Sequence, residues 1–153
     1  MPQGIIAASD MRFVEAQARR LRHGWRASPV APDTYEGLRE DVREHAGRIT
    51  VWDGGSERTV YGDPEVNHAF RAWHDATHLR HRWDFTLAGE RNVATNQRMV
   101  AFADGRTRLA QVLFADVYGQ ALYYARHSAF PEDQIAFVAA YLADRDTALG
   151  KVF

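Results

Sequence analysis

Histidines are concentrated in one short segment of the chain. Four of the seven histidines fall within the fourteen residues from His68 to His81. An α-helix has about 3.6 residues per turn, so His74, His78 and His81 would lie along one side of a helix. Asp75 adds a carboxylate directly after the first of these. Imidazoles one turn apart with a carboxylate nearby can chelate a divalent cation, and this chemistry is our first hypothesis for the segment.

A second acid can reach this cluster from the next predicted helix. Glu90 follows His78 after eleven residues, which is enough for a turn and the start of a helix that folds back. We therefore expect a divalent cation, most simply zinc, bound by His74, His78 and Glu90, with Asp75 as a fourth ligand or as a carboxylate that orients a histidine. Asp75 and Glu90 are the candidate catalytic residues. The competing interpretation is that the histidines only pack between helices and that the helix dipole favours Glu90.

The composition excludes several other classes of function. The chain has 153 residues, which predicts a single domain over residues 1–153, and 46% of them are hydrophobic, which is enough for a core. It contains no cysteine, so thiolate zinc sites, iron–sulfur clusters and cysteine nucleophiles are excluded. A net charge of -1 argues against a nucleic-acid polymer as the partner. The partner that we expect is a small-molecule substrate. The sequence does not exclude a homo-oligomer.

The hydropathy pattern also predicts where in the cell the protein is located. No apolar run approaches the roughly 18 residues that a membrane-spanning helix needs. The apolar stretch in residues 1–8 is too short for a signal peptide and lacks a basic start. We therefore expect a cytoplasmic protein without an integral membrane segment.

The pattern along the chain predicts a mainly α fold, a bundle of about six helices with one β-hairpin. Residues 48–52 and 57–61 alternate around the turn signal Asp53-Gly54-Gly55-Ser56, which predicts a hairpin near residues 48–61. Asp116 lies on the apolar stripe of an otherwise apolar helix, where a buried acid needs a partner or a metal. Helices are predicted over residues 11–23, 33–45, 64–81, 86–103, 107–127 and 129–149.

One segment carries a resemblance to a known family. His74-Asp75-x-x-His78, eleven further residues and then Glu90 resemble the His-Asp-x-x-His-x11-Glu motif of the Coq4 family of ubiquinone-biosynthesis proteins. The resemblance covers residues 66–105. It implies an all-helical fold, a divalent metal, usually zinc, bound by His74, Asp75, His78 and Glu90, and removal of a carboxylate from a quinone-ring precursor.

A second family competes for the same dipeptide. HD-domain phosphohydrolases use a histidine, a His-Asp pair and a distant aspartate around one or two metals. His45, His74-Asp75 and Asp116 occur here in that order, which resembles this set. That resemblance implies metal-dependent hydrolysis of nucleotides. A third interpretation is a helical structural or regulatory protein without catalysis. The position of Asp116 relative to Glu90 should distinguish the two enzyme classes.

Overall fold

The structure is a computed structural model that describes residues 5–150. Residues 1–4, which form half of the stretch considered above as a signal peptide, and residues 151–153 lie outside the described residues. The chain is mainly α-helical, which confirms the predicted class. The elements in chain order are α1 (Ala8–Arg19), β1 (Trp25–Ser28), α2 (Tyr35–Glu44), β2 (Ile49–Trp52), α3 (Pro64–His81), α4 (Leu87–Ala103), α5 (Thr107–Phe114), a π-helical segment (Ala115–Gly119), α6 (Gln120–His127), α7 (Gln134–Ala143) and α8 (Arg145–Leu149).

The predicted β-hairpin over residues 48–61 is wrong. Its first half is strand β2, but β2 pairs in parallel with β1, with Trp25 opposite Ile49 and Ser28 opposite Trp52. Helix α2 provides the crossover that two parallel strands require. After β2 the chain does not turn back, and Arg71 of α3 donates hydrogen bonds to the carbonyl oxygens of Trp52 and Gly54. The would-be second strand instead runs into the core, where Val60 and Tyr61 are buried.

Two predicted long helices are each divided in the structure. The helix over residues 107–127 is interrupted by the π-helical segment, in which the hydrogen-bonding pattern widens by one residue. The last predicted helix begins only at Gln134, with Asp133 as its N-cap, and breaks at Asp144, where the backbone is extended. The side chain of Asp144 then caps α8 by accepting a hydrogen bond from the backbone N–H of Thr147. These interruptions account for the excess over six helices within residues 5–150.

Helix α3 lies between two groups of buried side chains. Val66, Phe70 and Trp73 contribute to the larger core, which is built mainly from the helices that follow α3 in the chain. Ala69 and Ala72 face the smaller core beneath the two-stranded sheet. A helix that is packed on both sides is fixed in position and rotation, so the remaining side of α3 can present polar groups in a defined geometry. No helix within residues 5–150 has both the length and the apolar character to cross a bilayer.

Candidate metal centre

The start of helix α3 is set by local signals. Asp63 is the N-cap and accepts a hydrogen bond from the backbone N–H of Glu65 at 2.8 Å, and Pro64 occupies the first helical position. From this start the helix continues to His81 as predicted. It places His74 and His78 one turn apart on the same side, with 17% and 0% of their side chains exposed. The two imidazoles are thus largely withdrawn from solvent.

The connection to α4 places Glu90 opposite these histidines. Thr86 caps α4 by accepting a hydrogen bond from the backbone N–H of Gly89 at 3.1 Å, as predicted. Gly89 lies so close to the carbonyl oxygen of Asp84 that a Cβ atom there would overlap it. Glycine is therefore required at this position, immediately before the acid. Glu90 then projects from the first turn of α4 toward α3.

Three side chains bring atoms that can bind a metal together between the two helices. Nε2 of His74 lies 3.2 Å from Glu90 Oε2, and Nε2 of His78 lies 3.2 Å from Glu90 Oε1. The two Nε2 atoms are 3.1 Å apart. Ligand atoms about 2.0–2.2 Å from one tetrahedral ion lie about 3.3–3.6 Å from each other. The group therefore has nearly the dimensions of a coordination sphere, and it could hold a metal ion.

The remaining nitrogens of both rings fix their tautomers. Nδ1 of His78 lies 2.7 Å from the carbonyl oxygen of Trp83, and Nδ1 of His74 lies 3.0 Å from Oε1 of Gln97. Both partners are acceptors, so each Nδ1 carries the proton and donates it. In the neutral rings each Nε2 then has only a lone pair, and it faces the acceptor-only carboxylate of Glu90. Such an arrangement requires a positive charge, which either extra protons or a metal cation supplies.

The metal-free centre has the electrostatics of a tight ion pair. Burial acts to lower the pKa of His74, but the charge and hydrogen bond of Glu90, with help from Asp75 and Gln97, outweigh it and raise that pKa to about 9. Burial acts to raise the pKa of Glu90, and His74 and His78 together hold it well below its usual value. The carboxylate is thus ionised and ready to bind a cation.

Asp75 lies beside this group but outside it. The ligand atoms within 4.8 Å of one another belong to His74, His78 and Glu90, and Asp75 is not among them. Burial raises the pKa of Asp75 to about 6, against the opposing effect of the two histidines. Its negative charge acts on both histidines from the same helix. The ligand and catalytic roles expected for Asp75 stay predictions.

The other two histidines of the segment have separate contacts. His68 contacts the carbonyl oxygen of Asp53 at 3.1 Å, and His81 stacks on Trp83 with ring centroids 4.4 Å apart. His81, the last residue of α3, thus packs on the connection between α3 and α4. The prediction that it shares the chelating side therefore adds no ligand to the group of three.

The alternative set of the phosphohydrolase type is not assembled as one group. His45 is at the C-terminal end of α2, where its Nδ1 lies 3.2 Å from Asp41 Oδ1 at the protein surface. Asp116 is buried, and its carboxylate accepts hydrogen bonds from Tyr61 at 2.8 Å and from Gln120. Neither residue belongs to the group of three ligand atoms found within residues 5–150.

The centre opens onto a large cavity that the sequence did not indicate. Its volume is about 850 Å³, and His74, Glu90 and Asp116 are part of its wall. This volume is typical of sites for small molecules, which occupy about 300–1,000 Å³. Four large apolar side chains in the wall are also strongly exposed and form the rim of the cavity: Trp52, Leu87, Tyr124 and Phe130.

Gln97 is the other functional residue that the sequence did not assign. It is fully buried and accepts the Nδ1 hydrogen of His74. A signal for it existed, because Gln97 lies two turns after Glu90 on the same side of α4, and the neighbouring positions Ala94 and Ala101 are small. A buried polar side chain on the same stripe as a proposed ligand is a candidate for orienting another ligand.

Comparisons of the chain with protein-family models, with curated proteins and with solved structures find no match. The resemblances to the Coq4 family and to HD-domain phosphohydrolases therefore stay predictions from the motif. What the structure itself contributes is a His-His-Glu group that could hold a metal ion at the wall of a cavity.

Proposed function

We propose that the protein is a zinc-dependent enzyme of the Coq4-like type, acting on a small aromatic or quinone-like substrate. The observation that carries this proposal is that His74, His78 and Glu90 bring metal-binding atoms together beside a large cavity. Acceptors behind both imidazoles direct each Nε2 toward Glu90, which is the orientation that metal-binding histidines usually have, and this supports the metal.

The ligand set favours a reactive centre over a structural one. Structural zinc sites are usually closed by four protein ligands, whereas catalytic sites use three, and two histidines with one glutamate are a known catalytic combination. A zinc ion bound there would polarise a substrate oxygen as a Lewis acid. The surrounding residues hold the ligands in place: Gln97 and the Trp83 carbonyl orient the imidazoles, and Gly89 and Thr86 position the carboxylate.

The cavity wall supports an aromatic or quinone-like substrate. Phe70 and Phe85 flank the histidines, with ring centroids 5.7 Å from His74 and 4.7 Å from His78 respectively, and both line the cavity. Planar aromatic walls bind a planar ring through stacked or edge-to-face contacts. The exposed rim gives an apolar body a surface on which to lie while a polar group reaches the centre.

Elemental analysis of the protein purified without a nickel column is the first test. We expect about one zinc per chain in the wild type and strongly reduced zinc in His78→Ala and Glu90→Gln. His81→Ala is the matched control, because His81 is exposed on the same helix and lies outside the group of three. We expect this variant to retain its zinc.

Two results would contradict the proposal at different levels. A folded wild-type protein that takes up no zinc, cobalt or manganese even after dialysis against the metal would leave only the packing interpretation. Release of phosphate from a nucleotide panel by the zinc-loaded protein would retain the metal and exclude the quinone-like substrate class.

A further inference from the structure

Asp116 is a buried carboxylate in the wall of the same cavity. It is 8% exposed and lies in the π-helical segment Ala115–Gly119. His74 and Glu90 line the cavity together with it. π-Helical turns are rare and occur frequently at functional sites, because they redirect one side chain out of the regular helical pattern. Asp116 is the acidic residue that this turn carries.

Two hydrogen bonds hold the carboxylate of Asp116 in place, and its oxygens can still accept further hydrogen bonds. Oδ2 accepts a hydrogen bond from the hydroxyl of Tyr61 at 2.8 Å, and Oδ1 accepts one from the side-chain amide of Gln120. Tyr61 is itself fixed, since it is fully buried and stacks on Phe70 with ring centroids 4.3 Å apart. An ionised carboxylate has about four lone-pair positions, and these two donors occupy two of them. The others are available to a group in the cavity.

No cation among residues 5–150 neutralises Asp116 at close range. None of the ion pairs between described residues includes it. The charged or titratable groups that act on it are Tyr61, His74 and Arg71. The Arg71 guanidinium is engaged with the carbonyl oxygens of Trp52 and Gly54. Burial raises the pKa of Asp116 to about 6, so the carboxylate is still largely ionised at neutral pH.

We propose that Asp116 is a specificity-determining residue that accepts a hydrogen bond from a hydroxyl or amino group of the ligand, while another group of that ligand binds at His74, His78 and Glu90. This inference rests on the proposed function. A carboxylate that can only accept hydrogen bonds favours a ligand that brings a donor, and it disfavours an ether or carbonyl oxygen at the same position. Discrimination of this kind, based on an unpaired buried polar group, reaches tenfold and more.

The test uses probes that share one metal-binding group. Benzohydroxamate chelates zinc through two oxygens, and a hydroxyl at ring position 3 or 4 reaches away from the ion. Dissociation constants are measured by calorimetry on the zinc-loaded full chain for each hydroxy probe and its methoxy counterpart. For at least one ring position we expect the wild type to bind the hydroxy probe at least about tenfold more tightly than the methoxy probe. We expect this preference to fall below about twofold, or to reverse, in Asp116→Asn.

Two further variants make the test specific. Asp116→Leu removes all hydrogen bonding at the position and should also lose the preference, which covers the case in which the asparagine variant does not fold. Asp33→Asn is the matched control, because Asp33 is a second carboxylate in the cavity wall but is exposed. We expect it to keep the preference of the wild type.

The outcomes separate this inference from the proposed function. Equal binding of hydroxy and methoxy probes by the wild type, or a preference that persists in both Asp116 variants, would overturn the role of Asp116. In either case, zinc-dependent binding of unsubstituted benzohydroxamate would leave the metal centre standing. Absence of zinc uptake, or binding of benzohydroxamate that does not depend on zinc, would overturn both.

Discussion

Metal binding to this centre must displace a proton, and the strength of that coupling follows from the geometry. In the metal-free protein Glu90 lies 3.2 Å from Nε2 of His74 and raises the pKa of that imidazole to about 9. A metal ligand must be the neutral imidazole. We therefore predict that one proton leaves His74 for each ion bound near pH 7.

The magnitude can be worked out from the pKa. At pH 7 an imidazole with a pKa of about 9 is neutral only about 1% of the time, which weakens the apparent metal affinity about 100-fold, or about 2.7 kcal/mol. The dissociation constant should fall about tenfold per pH unit between pH 6.5 and 8.5. In Glu90→Gln the attraction is lost while burial remains, so the pKa of His74 should fall.

Two measurements test this coupling. Calorimetric titration of the metal-free protein with zinc, in buffers of different ionisation enthalpy, gives the number of protons released per ion. NMR titration of the histidine ring signals gives the pKa of His74 directly, in the wild type and in Glu90→Gln. His81→Ala serves as the assignment control, and its other histidine signals should titrate as in the wild type.

The reasoning would be refuted by affinity that does not depend on pH between 6.5 and 8.5 and by zinc binding without proton release. It would equally be refuted by a His74 signal that titrates near its ordinary pKa of 6.5 in the intact metal-free protein. Either result would mean that Glu90 and His74 do not form an ion pair in solution.

The same pair gives the metal-free fold its own pH dependence. The pKa of His74 is raised on folding, so its contribution to stability is complete below pH 6.5 and is lost as the pH rises through about 9. The pKa of Glu90 is lowered on folding, so its contribution is present above about pH 4.5 and is lost as the pH falls below that value. Together these two groups stabilise the metal-free fold most between pH 4.5 and 6.5.

Three further predictions concern the residues around the centre. Thr86→Ala removes the N-cap of α4 and should lower the free energy of unfolding by about 1 kcal/mol in denaturant titrations, with weaker zinc binding by calorimetry. Gly89→Ala places a Cβ against the Asp84 carbonyl and should lower stability by about 1–3 kcal/mol and displace Glu90, whereas Ala88→Ser, at the exposed neighbouring position, should change zinc affinity little. Burial raises the pKa of Asp116 to about 6, so its ionisation opposes folding; in denaturant titrations the wild type should lose up to about 3 kcal/mol of unfolding free energy between pH 4 and pH 8 that Asp116→Asn does not lose.

The sequence was most informative where local rules decide the structure. Pro64 after the N-cap Asp63, and Thr86 three residues before Gly89, determine where α3 and α4 begin. Once these starts are fixed, helical periodicity places His74 and His78 on one side, and the short connection brings Glu90 near them. The candidate site could therefore be predicted within one helix–turn–helix unit, without knowledge of the remaining chain.

The sequence was less informative where distant segments decide the structure. β1 precedes α2 and its pairing with β2 depends on the crossover, so the alternation in residues 48–52 predicted a strand but not its partner. The π-helical segment could not be predicted from local signals either. Ala115–Gly119 contains no proline, and its only glycine is its last residue, so no residue there indicates an interruption of the helix. At Gly119 a Cβ would lie 3.1 Å from the ring of Tyr141, so glycine allows α7 to approach closely.

The compactness of the centre along the chain also bears on the denatured state. All three ligands lie within seventeen residues, and only eleven residues separate His78 from Glu90. An ion that joins them closes a short loop, which restricts the unfolded chain little. Because the unfolded segment keeps the same three side chains close together, it also retains some affinity for the ion, and such binding reduces the stabilisation that a ligand gives to the folded state. The increase in melting temperature at saturating zinc should therefore understate the affinity of the folded centre.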